Sequence, residues 1–183
     1  MRTLTAATLR LEPQLPAHAE AMFAVLSDLA IYHFGNRPPI SLDSLRQRFE
    51  SLVSGCSPDG SEHWLNWVVR LPDAQLAGYV QATIDADGLA TIGYELGSAW
   101  WGCGIATQAV ARMIEELQDH YQIRGLRASL NPDNLRSMRL LRRLGFEPAR
   151  PGPLEQASPV PGWDDTDVLM RCPLPWRGLW PRA

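Results

Sequence analysis

The chain contains no lysine; all 17 of its basic residues are arginine. That absence excludes a phosphate-binding loop of the Gly-x-x-x-x-Gly-Lys-Ser/Thr type, whose lysine must reach the β- and γ-phosphates. Cysteine is scarce. Cys56, Cys103 and Cys172 are odd in number and scattered, which is no disulfide framework and suits a reducing cytoplasm. The four histidines, His18, His33, His63 and His120, have no ligand spacing, so no metal is expected. No apolar run approaches the roughly 20 residues a membrane span needs, and the first residues lack the charged-then-apolar layout of a signal peptide. A net charge of −3 argues against nucleic acid as the principal partner, since phosphate binding wants a basic face.

What is present is enough apolar material for one full core: 45% of 183 residues are hydrophobic, and this length predicts a single domain over residues 1–183. Thr8 to Glu12 alternates and meets Pro13, which predicts a first strand. Apolar residues Ala21, Met22, Val25, Leu26 and Leu29 predict an amphipathic helix from Ala17 to about Tyr32. Ser41 can cap a second helix with the apolar stripe Leu45, Phe49 and Leu52. Trp64–Leu71, Leu76–Ile84 and Ala90–Leu96 read as three antiparallel strands joined by hairpin turns at Pro72-Asp73 and Asp85–Gly88. Odd spacing within its strand splits Trp64 and Trp67 between core and surface.

The organising stretch runs from Ile92 to Thr107: Ile-Gly-Tyr-Glu-Leu, a short loop, then Trp101-Gly102-Cys103-Gly104-Ile105-Ala106-Thr107. A helix follows to Tyr121, with Ile105, Ala109, Met113 and Leu117 at four-residue steps. A strand that feeds a glycine-rich turn at a helix N-terminus can hold an anion. The missing Cβ atoms let backbone N–H groups close on it, and the helix adds unpaired donors and the positive end of its dipole. A dinucleotide fingerprint would need a third glycine or alanine, which Ile105-Ala106-Thr107 does not supply in place. Downstream, Leu126–Leu130 reads as a strand and Asn131–Asn134 as a turn. A helix Leu135–Leu144 then stops at Gly145. Ala149 to Asp165 is a long proline- and glycine-rich connection, Asp167–Cys172 a last strand, and Pro173–Ala183 a tryptophan-bearing tail.

Trp101-Gly102-Cys103-Gly104-Ile105-Ala106 resembles motif A of the GNAT superfamily of N-acetyltransferases, Arg/Gln-x-x-Gly-x-Gly/Ala. With Ile92-Gly93-Tyr94 before it and Thr107 after it, the stretch is most similar to the branch that acetylates ribosomal-protein N-termini. Asn134, Ser137 and the Gly145-Phe146 pair resemble the family's second coenzyme-facing segment. The resemblance is strongest from Thr91 to Phe146. It departs from the family at Trp101, which stands where arginine or glutamine is usual. The element order β-α-α-β-β-β-α-β-α-β then implies the GNAT fold: α+β, a mixed, mostly antiparallel central sheet with helices on both faces.

The resemblance implies acetyl-CoA as co-substrate, its pyrophosphate on Trp101 to Thr107. It implies an oxyanion-type contact from a backbone N–H near Glu95 or Leu96, and Asn134 bonded to the pantetheine arm. The acceptor would be a primary amine: a protein N-terminal α-amine, a polyamine, an aminoglycoside or an amino acid. A homodimer is left open. Glu95 is the only carboxylate on its strand, and alternation sets it on the face opposite Tyr94 and Leu96. It reads either as general base or as an arginine's surface partner. Thr91 stands where relatives often carry an acid, and Leu141 where many carry a tyrosine acid. Ser137 is therefore the proton-donor candidate. Cys103 invites a nucleophile reading, but its loop position supplies only a backbone N–H. Arg136, Arg139 and Arg143 share a helix face, either solvated or facing the 3′-phosphate of the coenzyme. Asp164, Asp165 and Asp167, beside Trp163, read either as an ordinary solvated acidic turn or as an acidic cluster that attracts a cationic amine. The alternatives to an enzyme of this kind are a non-catalytic acyl-CoA-binding module with the same fold and, less well matched, a dinucleotide-dependent oxidoreductase.

Overall fold

The computed structural model describes residues 1–152 and 166–178. Strands β1 (Leu4–Thr5), β2 (Arg10–Pro13), β3 (His63–Arg70), β4 (Leu76–Ile84), β5 (Leu89–Leu96), β6 (Gly125–Leu130), β7 (Glu147–Ala149) and β8 (Val168–Cys172) form one sheet. Its order is β1-β2-β3-β4-β5-β6-β8-β7. Helices α1 (Ala19–Leu26) and α2 (Leu42–Leu52) pack on one face and α3 (Ile105–His120) and α4 (Leu135–Arg143) on the other. This is the mixed α+β sheet that the element order implies.

Alternation along the strands divides the core. Trp67 and Val69 of β3 point with Val80, Ile92 and Leu96 into a layer closed by Ala109, Met113, Ile114 and Leu117 of α3 and Leu141 of α4. Val68 points the other way, with Leu76 and Tyr79, onto Met22 and Leu26 of α1 and Leu45 and Phe49 of α2. Trp67 is fully buried, its indole N–H donated to the Arg2 carbonyl at 3.0 Å, while Trp64 is half-buried and bonds Glu62 at 2.8 Å. Truncating a residue such as Phe49 to alanine would cost about 3–5 kcal/mol through lost transfer energy and the cavity left behind.

Three local departures from the sequence reading have clear causes. The first helix stops at Leu26 instead of running to Tyr32. Ser27 turns its hydroxyl back onto the Phe23 carbonyl (2.7 Å), and Asp28 takes an extended ψ of 105°. The Asp28 carboxylate caps the Ala30 N–H at 3.0 Å and accepts the Ser98 N–H at 2.8 Å. The rest of the run, Leu29–Tyr32, becomes a 3-10 turn. The first strand is a two-residue β1 followed by β2, too short for periodicity to show. The edge strand β7 carries Pro148, which propensity sets against a strand. The second helix starts as expected, with Ser41 and Ser44 exchanging side-chain-to-backbone bonds of 3.1 Å.

One strand pair is parallel. β5 and β6 pair only through Leu89–Thr91 and Gly125–Arg127, after which β6 keeps its pairing to β8 and β5 its pairing to β4. The two central strands therefore part at Ile92 and leave a fork in the sheet. Its last closed rung is pinned by Arg127, 3% exposed, which donates from Nε to the Thr91 hydroxyl (2.8 Å) and pairs with Asp85 (3.3 Å). On the other side of β5, Gly78 (φ +150°) lets β4 approach closely, since a Cβ there would fall on the Glu95 carbonyl and 2.7 Å from Leu96 Cα. Among the described residues no helix is long and apolar enough to cross a membrane.

Candidate active site

At the open end of the fork, β5 leads through a short 3-10 turn (Ser98–Trp100) into the glycine loop and α3. Gly102 and Gly104 lie at φ +77° and +78°, a left-handed backbone that side chains resist, and a Cβ on either would meet nothing within 4 Å. The loop is thus shaped by backbone and faces open space. The first helical bond is Gln108 N–H to the Gly104 carbonyl at 3.1 Å, so the amides of Ile105, Ala106 and Thr107 have no intrahelical partner. No acidic residue occupies the first turn of α3. Ile105 is buried in the core and anchors the helix start. This geometry fits a pyrophosphate: unpaired donors, a favourable dipole and no side chain in the approach.

Trp101 bridges the loop to its surroundings. Its indole N–H donates to the Leu96 carbonyl at 2.9 Å, and the Arg136 guanidinium lies 3.2 Å from its ring centroid. Arg136 therefore brings a cation from α4 to the loop mouth, stacked on an aromatic face. Cys103 is exposed, its thiol directed at the Trp101 carbonyl at 3.6 Å.

The fork opens into a cleft of about 350 Å³ that reaches both faces of the sheet. Gly97 N–H bonds the Ala77 carbonyl at 3.0 Å and Leu89 C=O faces Asp85, so odd-numbered peptides of β5 face β4. Antiparallel alternation turns the Leu96 and Tyr94 peptides the other way, toward the gap that β6 has left. On the α3/α4 side the cleft is lined by Tyr94, Asn134, Ser137 and Leu141. Asn134 caps α4 by accepting the Ser137 N–H at 3.2 Å. The Tyr94 hydroxyl reaches the Ser137 carbonyl at 3.5 Å. Burial pushes the Tyr94 phenol up to about 12, so it stays protonated at neutral pH. Strand patterning assigned Tyr94 a face but not this role as a cleft wall; only the divergence of β6 exposes it.

On the α1/α2 side lie Tyr79, Gln81, Thr91, Glu95 and Asp167, closed by Phe34 to Asn36. Glu95 stands across the ladder from Tyr79 and accepts a hydrogen bond from the Asn36 amide. Among the described residues no arginine pairs with it, against one of the two sequence readings. Tyr32 is pushed up to about 12 and Tyr79 further, first by burial and then by the Glu95 charge, with Arg48 pulling both the other way. A second pocket of about 630 Å³ begins at Glu95 and Asn36 and runs between α2 and the Arg37–Ile40 segment. Of the acidic cluster, Asp167 lines the cleft, whereas Trp163, Asp164 and Asp165 lie outside the described residues.

Comparison with known proteins bears on this arrangement. The model of the acetyltransferase (GNAT) domain matches residues 8–147. The uncharacterized N-acetyltransferase p20 of Bacillus licheniformis is 26% identical over 148 residues, spanning 80% of this chain and 83% of that one. The structure of RimL, a ribosomal L7/L12 α-N-protein acetyltransferase, in complex with coenzyme A superposes with a TM-score of 0.74. It is 21% identical and covers 92% of this chain and 96% of its own. The microcin C7 self-immunity acetyltransferase MccE, in complex with acetyl-CoA and AMP, gives 0.72 at 22% identity over 90% and 92% of the two chains. At that identity the structural likenesses carry the fold. The domain match spans the glycine loop, the fork and α4 alike, and by it this chain belongs to the GNAT family, as an acetyl-CoA-dependent N-acetyltransferase.

Proposed function

We propose that the chain, as one acyltransferase domain, moves an acetyl group directly from acetyl-CoA to a primary amine, both substrates meeting in the fork between β5 and β6. The observation that carries this reading is the cleft itself. It runs through the sheet from Tyr94, Asn134 and Ser137 on the α3/α4 face to Glu95 and Asn36 on the other, with the open glycine loop following at the end of the same strand β5, so two substrates can approach one gap from opposite sides. The amides of Gly102 to Thr107 hold the pyrophosphate, with Arg136 adding charge at the mouth. Asn134 meets the pantetheine arm.

Acetyl-CoA supplies the activated acetyl group; the chain supplies position and proton transfer. The Leu96 N–H, facing the gap, donates to the thioester carbonyl oxygen as negative charge grows there. Glu95 removes the ammonium proton, directly or through one water, so that nitrogen attacks as a neutral amine. As the C–N bond forms and the C–S bond breaks, the nitrogen sheds its second proton to water and the thiolate takes a proton from a hydroxyl on the α3/α4 side. Solvent restores that hydroxyl and receives the proton held by Glu95. Ser137 is one donor in the cleft. Tyr94 is a second, favoured by its hydroxyl beside Ser137 and its protonated state. Cys103 sits on the loop surface and takes no part, so no acetyl-cysteine forms.

Thiol release from acetyl-CoA, measured across a panel of amines, tests this reading. Amine-dependent release is expected, together with thermal stabilisation by CoA and none by NAD. A panel with no release, or acetylation trapped on Cys103, would overturn it.

A further inference from the structure

The second pocket on the α1/α2 face is larger than proton removal requires. Glu95 and Asn36 line both it and the cleft through the sheet, so the two cavities share a wall at the carboxylate. Farther out the pocket is lined by Arg37, in the segment after the Leu29–Tyr32 turn, and by Arg48 of α2. Among the described residues neither guanidinium has an ion pair or a side-chain hydrogen bond. Arg46, Arg70 and Arg127 nearby are each satisfied by a carboxylate. The side wall is apolar: Pro38, Pro39 and Ile40, the last 96% exposed. Both Tyr32 and Tyr79 sense the negative charge of Glu95 and the positive charge of Arg48, which sets the two charges on one small polar cluster.

We infer that the acceptor is an amine that also carries an anionic group, a carboxylate or a phosphate, its nitrogen at Glu95 and its anion at Arg37 and Arg48. The inference rests on the acetyl-transfer reading and narrows it. A pocket with a carboxylate at its inner end and two uncommitted guanidiniums farther out is complementary to a zwitterion, charge for charge. The planar fork of arginine matches carboxylate and phosphate alike. A polyamine or an aminoglycoside would set its further cations against Arg37 and Arg48, where like charges repel. The Pro38–Ile40 wall offers apolar surface to whatever chain joins the two charged ends.

The test compares kcat/KM, by thiol release, for matched acceptors: a short peptide with a free C-terminal carboxylate, its C-terminal amide, an aminoalkyl phosphate, and spermidine. The carboxylate or the phosphate compound should lead its uncharged or cationic counterparts by about 10- to 30-fold, the scale of a charge-assisted pair at a solvent-exposed mouth. Which of the two leads identifies the anion. Arg48→Gln, and more so the Arg37→Gln/Arg48→Gln pair, should raise KM for the anionic amine by a similar factor. KM for the amide and for acetyl-CoA should not move, and Arg48→Lys should restore part of the loss. Preference for spermidine or for the amide, or an unchanged selectivity in the paired variant, would overturn the inference and leave acetyl transfer standing. No thiol release with any amine would sink both, and only that result touches the transfer reading.

Discussion

The two faces of the fork are built by different means. On the α3/α4 side the site is mostly backbone: two glycines at positive φ, the first amides of a helix and the gap-facing peptides of β5. On the α1/α2 side it is made of side chains, Glu95, Tyr79, Asn36, Arg37 and Arg48, carried on four separate segments. Under the acetyl-transfer proposal the difference follows from what each side would bind. A pyrophosphate is the same in every turnover and can be met by amides that any residue supplies. An acceptor would be recognised by its own charges and shape, which side chains answer.

The two faces differ most sharply at the loop. Gly104→Val would force a β-branched residue to φ +78° and fill the anion's approach. CoA affinity should fall about a thousandfold or more, combining backbone strain with lost phosphate contact. Titration calorimetry, or the loss of thermal stabilisation by CoA, reads it. An unimpaired affinity would place the pyrophosphate elsewhere.

On the opposite face, Glu95→Gln keeps the Asn36 contact in reach but removes the base. We expect kcat at neutral pH to drop about a hundredfold, in the usual range for a positioned base. The deficit should shrink as pH rises and more acceptor is neutral without help. CoA affinity should be unchanged, because the residue belongs to the other side. A pH-independent deficit would make Glu95 a structural group.

A smaller effect separates the two proton donors. Tyr94→Phe and Ser137→Ala should each be tested for kcat, with about a tenfold loss in whichever donates to the thiolate. The other should be nearly silent, and silence in both would leave the departing sulfur to solvent.

A smaller effect again is on stability at high pH. Tyr94 titrates near 12 when folded, against about 10 when unfolded. Its raised value means the folded state holds its proton more tightly. Stability from this group is therefore complete below pH 10 and lost as pH climbs from 10 toward 12. The loss should be roughly 1–2 kcal/mol, discounted from the full linkage figure for partial solvation. Chemical denaturation at pH 9 and pH 11 should show a smaller difference in Tyr94→Phe than in the parent chain. Cys103→Ala, an exposed loop change, should alter neither stability nor CoA binding beyond about 0.5 kcal/mol.

The glycine-loop side of the fork was legible in the chain. Gly102 and Gly104, the strand before them and the helix after them are contiguous, so the local backbone chemistry that suits an anion could be read from spacing alone. The central strands β3, β4 and β5 were legible too, since the alternation that puts Glu95 opposite Tyr94 and Leu96 is a property of any strand, whereas the short edge strands β1 and β7 were not. The sequence overran α1 because the helical period of Leu29 continues past Ser27, while the partner that stops the helix, the Ser98 N–H on Asp28, is seventy residues away. On the opposite side the sequence offered Glu95, and the tertiary structure decided what surrounds it. Tyr94 becomes a cleft wall only where β6 leaves β5, and Arg48 and Glu95 line one pocket only because α2 packs over Val68, Leu76 and Tyr79 of β3 and β4. Such pairings depend on long-range packing, and no spacing in the chain encodes them.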